Sequence, residues 1–270
     1  FLSANDGTKL YYQIWRPETT PKAIIQLVHG LAEYGSRYMN VVNALIPAGF
    51  CVYAKDHRGH GKSEGTRGYI NKFTYYLDDE ITFTQLIQEQ EPNMPIFLLG
   101  HSLGSIISVF YASKHSEDFK GLILSGTGFP ATSKVNPLVL VMARILSRVW
   151  PKGTIGLDLA DEISRDPEVV EAYRNDPQVF KKVTYRFGAE LINAAKNLPD
   201  VFSSIIIPVL GQSGAADTLM LNPSELFALI TSSDKDLKIY DELFHEVYNE
   251  LEADRTVVLN DLKEWLEAHL

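Results

Sequence analysis

A mostly parallel α/β sheet with helices on both faces and an inserted helical cap is predicted by three observations. Short apolar or β-branched runs alternate with longer helical patterns toward both ends of the chain. The alternation fails between Phe129 and Pro199, where no strand pattern appears and helix-start signals repeat. A strand, a sharp turn and a helix are written around Gly100-His101-Ser102-Leu103-Gly104.

The predicted strands are Thr8 to Trp15, Ala23 to Val28, Phe50 to Lys55, Ile96 to Leu99, Gly121 to Leu124, Ile207 to Leu210 and Leu237 to Tyr240, each bounded by turn residues. Between them, helical spacing covers Arg37 to Ala48, Phe73 to Gln90, Ser102 to Lys114, Pro223 to Thr231 and Glu250 to His269. Parallel strands need crossovers, and helices supply them on both faces of the sheet. Inside the break, Asn136-Pro137, Asp166-Pro167 and Asp176-Pro177 each join a capping side chain to a proline suited to the first helical turn. Sheet-type runs resume at Val201 to Leu210. The expected division is a discontinuous core, residues 1–128 and 200–270, with a cap at 129–199 lying over the carboxyl ends of the strands, where such sheets bind ligands.

The chain has 270 residues, 45% hydrophobic and 22% charged, enough for one large domain with an insertion. A net charge of −9 argues against docking on nucleic acid or on an anionic membrane, both of which need a basic face. A neutral or zwitterionic small molecule fits better. The single cysteine, Cys51, excludes an intrachain disulfide and favours a reducing compartment, so a cytoplasmic location is expected. No apolar run reaches the roughly 18 residues of a spanning helix.

The turn at Ser102 carries the chemistry. A serine there sits in a strained backbone, flanking side chains would collide, and Gly100 and Gly104 remove them. The hydroxyl is thereby exposed, with a helix N-terminus aimed at any oxyanion forming beside it. Serine is a weak nucleophile and needs a base, and the base needs an acid to hold its tautomer. Of the histidines after Ser102, His115 is on or just after the turn's own helix and His269 is penultimate, whereas His245 follows the last predicted strand. His245 is the candidate base. Asp217 is the only carboxylate in the loop Gln212 to Asn222 and is the candidate acid, with Asp234, Asp236 and Asp241 as alternatives. The backbone N–H groups of Leu103, after the nucleophile, and Leu31, after the turn at His29-Gly30, are the candidate oxyanion donors.

Two other patterns lead elsewhere. Gly61-Lys62-Ser63 lacks the first glycine of a phosphate loop, since Asp56 stands there. His57 and His60 have no third metal ligand at suitable spacing, and Arg58 and Lys62 disfavour a cation, so they read as structural loop residues and no metal is expected.

Taken together, His29-Gly30-Leu31-Ala32-Glu33, the stretch from Asp56 to Gly65, the serine turn, and His245-Glu246-Val247-Tyr248-Asn249-Glu250 resemble the α/β-hydrolase superfamily, and within it the monoacylglycerol lipase and lysophospholipase group, also labelled serine aminopeptidase-like hydrolases. Ser164-Arg165-Asp166-Pro167 and Asn175-Asp176-Pro177 extend the resemblance into the cap. The stretch Ala215 to Met220 departs from the group: it keeps the aspartate but lacks the basic or polar flanks common there. The resemblance implies hydrolysis of a single-acyl ester, foremost a monoacylglycerol, through an acyl-enzyme on Ser102, without a cofactor. Lysophospholipase or general carboxylesterase activity is the close alternative, and an inactive binding scaffold the non-enzymatic one. The cap would shape an acyl tunnel. In its clearest helix, Pro137 to Trp150, Arg144 and Arg148 share one face and leave a broad apolar surface, which either packs on the core or meets acyl chains and lipid aggregates, the latter giving a peripheral membrane association.

Overall fold

Seven strands form the central sheet of a computed structural model that describes residues 1–131 and 137–270. They are β1 (Tyr12–Trp15), β2 (Ala23–Val28), β3 (Phe50–Lys55), β4 (Ile96–His101), β5 (Gly121–Ser125), β6 (Val209–Gly214) and β7 (Lys235–Tyr240). Their order across the sheet is β7-β6-β5-β4-β2-β3-β1, with β1 antiparallel to β3 and the other pairs parallel.

The middle strands are buried along their whole length and mostly apolar because both of their faces are covered; Gln26 in β2 is the polar exception within a run, its amide donating to Glu80 Oε2 at 2.9 Å. Side chains alternate across the sheet, so Ile24 and Val28 of β2 join one core while Ile25 and Leu27 join the other. On the first face lie α2 (Thr74–Gln90), α3 (Leu103–Ala112) and α8 (Leu198–Ser203), contributing Phe83, Ile107 and Phe202. On the second lie α1 (Met39–Leu45) and α10 (Glu252–Ala268), contributing Val42, Leu262 and Leu266. The chain leaves β2 toward β3 and returns to β4 on the other side. This reversal opens a crevice at the carboxyl ends of β2 and β4, where Gly30 and Ser102 are found.

The mostly parallel sheet with helices on both faces matches expectation, as do β2 and β3 to the residue; several other elements differ. The strand expected over Thr8–Trp15 is two. Lys9–Leu10 pairs with Leu2–Ser3, and the chain bends at Tyr11, whose N–H is taken by Ser63 Oγ at 2.8 Å, before β1 enters the sheet. Val201 starts no sheet run. It lies in α8, whose Pro199 suits a first helical turn, and Phe202 and Ile205 bury an apolar face there. The helix expected over Arg37–Ala48 is a 3₁₀ turn, Gly35–Tyr38, followed by α1.

Between β5 and α8 lie α4 (Pro137–Val149), α5 (Ala160–Ile163), α6 (Pro167–Asn175) and α7 (Tyr185–Lys196), but the segment expected to form the inserted cap is not free of strands. Thr154–Gly156 pairs antiparallel with Lys182–Thr184, and Phe129–Pro130 with Met220–Leu221. Strands of two or three residues are too short to leave a period in the sequence. Asp166 caps α6 through Glu168 N–H, as its proline signal predicts. Asp176 starts no helix but ends α6; its carboxylate accepts Gln178 N–H at 2.7 Å and Tyr34 O–H at 2.5 Å, tying the turn after α6 to the loop after β2. The Asn136-Pro137 signal begins outside the described residues. After β6, α9 (Pro223–Ala228) precedes β7 and is shorter than expected.

Candidate active site

Ser102 sits between β4 and α3 with φ of 54° and ψ of −118°, a left-handed conformation that costs a non-glycine residue on the order of 1–3 kcal/mol. Its surroundings hold it there: Ser102 N–H donates to Ser125 O at 3.0 Å, and Ser102 O accepts Ser105 N–H at 2.9 Å and Ser105 Oγ–H at 2.7 Å. Both glycines of the turn are sterically required. A Cβ at Gly100 would lie 2.4 Å from Gly104 O, and one at Gly104 would lie 1.9 Å from Val28 O. Helix α3 therefore approaches the end of β2 at backbone distance.

The same approach brings the loop after β2 to the serine. A Cβ on Gly30 would be 3.2 Å from Ser102 Cβ. Leu31 and Leu103, whose N–H groups are the candidate oxyanion donors, both line a cavity with Ser102. Glu33 Oε1 takes the preceding N–H, that of Gly30, at 2.5 Å. Ala32 is left-handed as well, with φ of 65°.

His245 is buried in the loop after β7, and its Nδ1 donates to Asp217 Oδ2 at 2.7 Å. Asp217 follows β6, its side chain only 2% exposed, and its Oδ1 accepts the N–H groups of Leu219 and Met220 at 2.8 and 3.0 Å. The bare flanks of Asp217 are thus compensated by backbone donors. The alternatives fall away: Asp236 and Asp241 are exposed, and Asp234 pairs with His269. The ring of His101, next to Ser102, lies 4.7 Å from that of His245, and a Cβ on Gly126 would sit 3.0 Å from both rings. Chemically, the arrangement offers a hydroxyl on a strained backbone at Ser102 and, against the ring of the adjacent His101, an imidazole oriented through Nδ1 by a buried carboxylate.

Electrostatics follow from this burial. Burial alone would lower His245, but the charge and hydrogen bond of Asp217, with Glu246 and Glu33 nearby, outweigh it and raise its pKa. Burial alone would raise Asp217, yet His245 and the two backbone donors hold its pKa below the ordinary value. His101 goes the other way, pushed by burial down to about 3.

The cavity beside Ser102 measures about 150 Å³, and its remaining ten lining residues are apolar. Leu31, Leu103, Ile106 and Leu219 come from the core side, and Leu157, Leu159 and Leu191 from the inserted segment. On α4, the apolar face is turned outward: Val141, Met142, Ile145, Val149 and Trp150 are all exposed, as are Arg144 and Arg148. Among the described residues, no helix is long and apolar enough to cross a membrane.

Three charged residues were passed over by sequence reasoning. Arg37 donates to Glu33 and to both carboxylate oxygens of Glu246 at 2.7 to 2.9 Å, and all three are largely buried beside His245. Their signal was the i, i+4 pair Glu33–Arg37 and the adjacency of Glu246 to the candidate base. His29, His57 and His60 form a buried cluster in which His57 Nε2 and His29 O are 2.8 Å apart and His57 N–H donates to His29 Nε2 at 2.8 Å. They brace the ends of β2 and β3 against each other.

Known proteins share this architecture. The sequence profile described as serine aminopeptidase, S33, matches residues 19–252. A monoacylglycerol lipase of Mycolicibacterium smegmatis is 34% identical over 267 residues, covering 98% of this chain and 95% of the relative. The monoglyceride lipase of Mus musculus is 33% identical over 266 residues, covering 97% and 88%. Among solved structures, the monoacylglycerol lipase of Paleococcus ferrophilus superposes with a TM-score of 0.84 at 28% identity, covering 97% of this chain and all of that one. With the profile spanning most of the sequence and both relatives nearly all of it, the chain belongs to the serine aminopeptidase S33 family of α/β-hydrolases.

Proposed function

We propose that this protein hydrolyses the carboxylic ester of single-acyl lipids, foremost monoacylglycerols, through an acyl-enzyme on Ser102. One observation carries the reading: the strained serine opens onto a cavity whose other lining residues are all apolar, while the ring of His245, held by Asp217, lies 4.7 Å from that of His101, the residue before the serine. The relatives named monoacylglycerol lipase support the same substrate class.

In this mechanism His245 Nε2 takes the proton of Ser102 Oγ as the oxygen attacks the ester carbonyl. Asp217 keeps Nδ1 protonated and stabilises the imidazolium. The N–H groups of Leu31 and Leu103 receive the tetrahedral oxyanion. Collapse breaks the ester C–O bond, and His245 returns its proton to the departing alcohol. Water then repeats the sequence on the acyl-enzyme, its proton passing to His245 and on to Ser102, and the fatty acid leaves.

Residues 129–199 act as a cap, and Leu157, Leu159 and Leu191 complete the acyl site from that side. The outward apolar face of α4 supports transient contact of the cap with lipid aggregates and a peripheral association with membranes, since large exposed apolar patches mark interaction surfaces.

A hydrolysis profile over monoacylglycerols, diacylglycerols, lysophospholipids and short synthetic esters, run beside Ser102→Ala, tests the reading. Highest kcat/KM on long-chain monoacylglycerols, abolished in Ser102→Ala, is expected. Turnover confined to acetyl and butyryl esters would overturn the lipid assignment, and Ser102-independent turnover would overturn the mechanism.

A further inference from the structure

Arg37 joins the two loops on which the proposed reaction depends. Its Nη1 donates to Glu33 Oε2 at 2.9 Å and to Glu246 Oε1 at 2.7 Å, and its Nη2 to Glu246 Oε2 at 2.9 Å. Glu33 belongs to the loop after β2. Its other oxygen accepts Gly30 N–H at 2.5 Å and Tyr38 O–H at 2.6 Å, closing that loop on itself immediately before Leu31. Glu246 directly follows His245, and its Oε2 also accepts Asn249 Nδ2–H at 2.8 Å. The guanidinium stacks 4.7 Å from the ring of Tyr173 in α6, so the inserted segment covers the cluster.

The arrangement is an unusual way to stabilise a fold. One cation serves two buried carboxyl groups, of which Glu33 is pushed up to about 7 by burial against the pull of Arg37, and a single Arg–Glu pair would satisfy the guanidinium without the second buried acid. What the second carboxylate adds is connection, since one carboxylate grips each loop. Both loops also hold a left-handed non-glycine residue, Ala32 with φ of 65° and Glu242 with φ of 62°, conformations that persist only where surrounding contacts enforce them.

We infer that Arg37, acting through Glu33 and Glu246, is a positioning residue that sets the backbone of the Leu31 oxyanion donor relative to the imidazole of His245. The inference rests on the mechanism proposed above. Arg37 touches no reacting atom; it fixes the spacing between two groups that do, and displacements of about 1 Å at such groups cost on the order of 100-fold in rate.

Arg37→Lys keeps a buried positive charge but replaces the planar fork with a point charge that cannot bridge both carboxylates in the same way. Its kcat and KM on p-nitrophenyl butyrate are measured beside Glu33→Gln, Glu246→Gln and the double Glu variant, with melting followed by circular dichroism. Expected is a fall in kcat of about 10- to 100-fold with KM changed by less than about twofold, and losses in the two Glu variants that do not add in the double variant. Folded Arg37→Lys and Glu33→Gln proteins with kcat within about twofold of the parent would overturn the inference, as would a loss that only tracks the unfolded fraction. If Arg37→Lys does not fold, Glu33→Gln decides by the same criteria. Parent turnover equal to that of Ser102→Ala would instead sink the underlying mechanism and this inference with it, so the two failures are distinct.

Discussion

His245 Nδ1 and Asp217 Oδ2 stand 2.7 Å apart across 28 positions of sequence, in loops that leave β7 and β6. Parallel pairing of those two strands places their carboxyl ends side by side, and both side chains turn inward from there. Asp217→Asn would preserve size while removing the charge that orients Nδ1–H. A fall in kcat of about 10³- to 10⁴-fold is expected, with the near-native circular dichroism spectrum retained. A loss below about tenfold on a monoacylglycerol substrate would contradict the role given to Asp217.

The pKa of His245 is raised above its ordinary 6.5, Asp217 prevailing over burial, and the general-base role proposed for it requires the neutral ring. The kcat/KM of the parent enzyme should therefore rise with pH through a midpoint above 6.5, and residual activity in Asp217→Asn should titrate at lower pH. A pH–rate series on both proteins checks this; a shared midpoint would refute it.

Stability should fall in acid as well, through a different set of histidines. Burial pushes His60 down to about 4 and His101 down to about 3, and lowers His29 and His57 as well. Groups depressed in the folded state contribute stability that is complete above the unfolded pKa near 6.5 and is lost as pH falls toward the folded value. His245, raised in the folded state, acts in a different window, its contribution being complete below 6.5 and lost as pH rises through its folded pKa. Below 6.5 the four depressed histidines are opposed by Glu33, which burial pushes up to about 7, and by the raised Asp56 and Glu80; four such groups outweigh three, each changing stability by up to about 1.4 kcal/mol per pH unit within its window. Calorimetry should show Tm falling from pH 6.5 to pH 4, and a flat Tm would show that these histidines are not held neutral by the fold.

Gly104 and Gly156 make a matched pair. An added Cβ at Gly104 would meet Val28 O at 1.9 Å and His29 O at 2.6 Å, both backbone atoms of the sheet edge. Gly156→Ala has nothing within 4 Å to meet. Urea titration should give a loss of about 3 kcal/mol or more for Gly104→Ala, with activity lost alongside, and a change within about 1 kcal/mol for Gly156→Ala.

The exposed face of α4 predicts a dependence on substrate form. Ile145 and Trp150, 51% and 62% exposed, would each contribute about 1–3 kcal/mol on entering a lipid surface. Ile145→Ser with Trp150→Ser should lower hydrolysis of micellar monoacylglycerol roughly tenfold while a soluble p-nitrophenyl ester is turned over at the parent rate. Equal losses on both substrates would mean that the face packs within the molecule during catalysis.

Local chemistry made much of this protein legible in its sequence: the apolar runs of β2 and β3, the glycine-framed turn at Ser102, the Asp166-Pro167 helix start, and the order in which Ser102, Asp217 and His245 follow one another. All but the last are decided by residues close together, through side-chain period, steric room at glycine or a capping carboxylate, so each leaves a readable pattern; the order of the three was readable because each follows a recognisable strand. The tertiary structure alone decided that Asp217 rather than Asp234, Asp236 or Asp241 meets the imidazole, that the apolar face of α4 points outward, and that short strands pair Thr154–Gly156 with Lys182–Thr184. It alone gathered Glu33, Arg37 and Glu246, which lie 209 positions apart at the Arg37–Glu246 contact. Contacts of that separation depend on how strands are ordered and twisted in the finished sheet, and a charge that reads as solvated surface in a linear chain becomes a buried partner only once the sheet has closed around it.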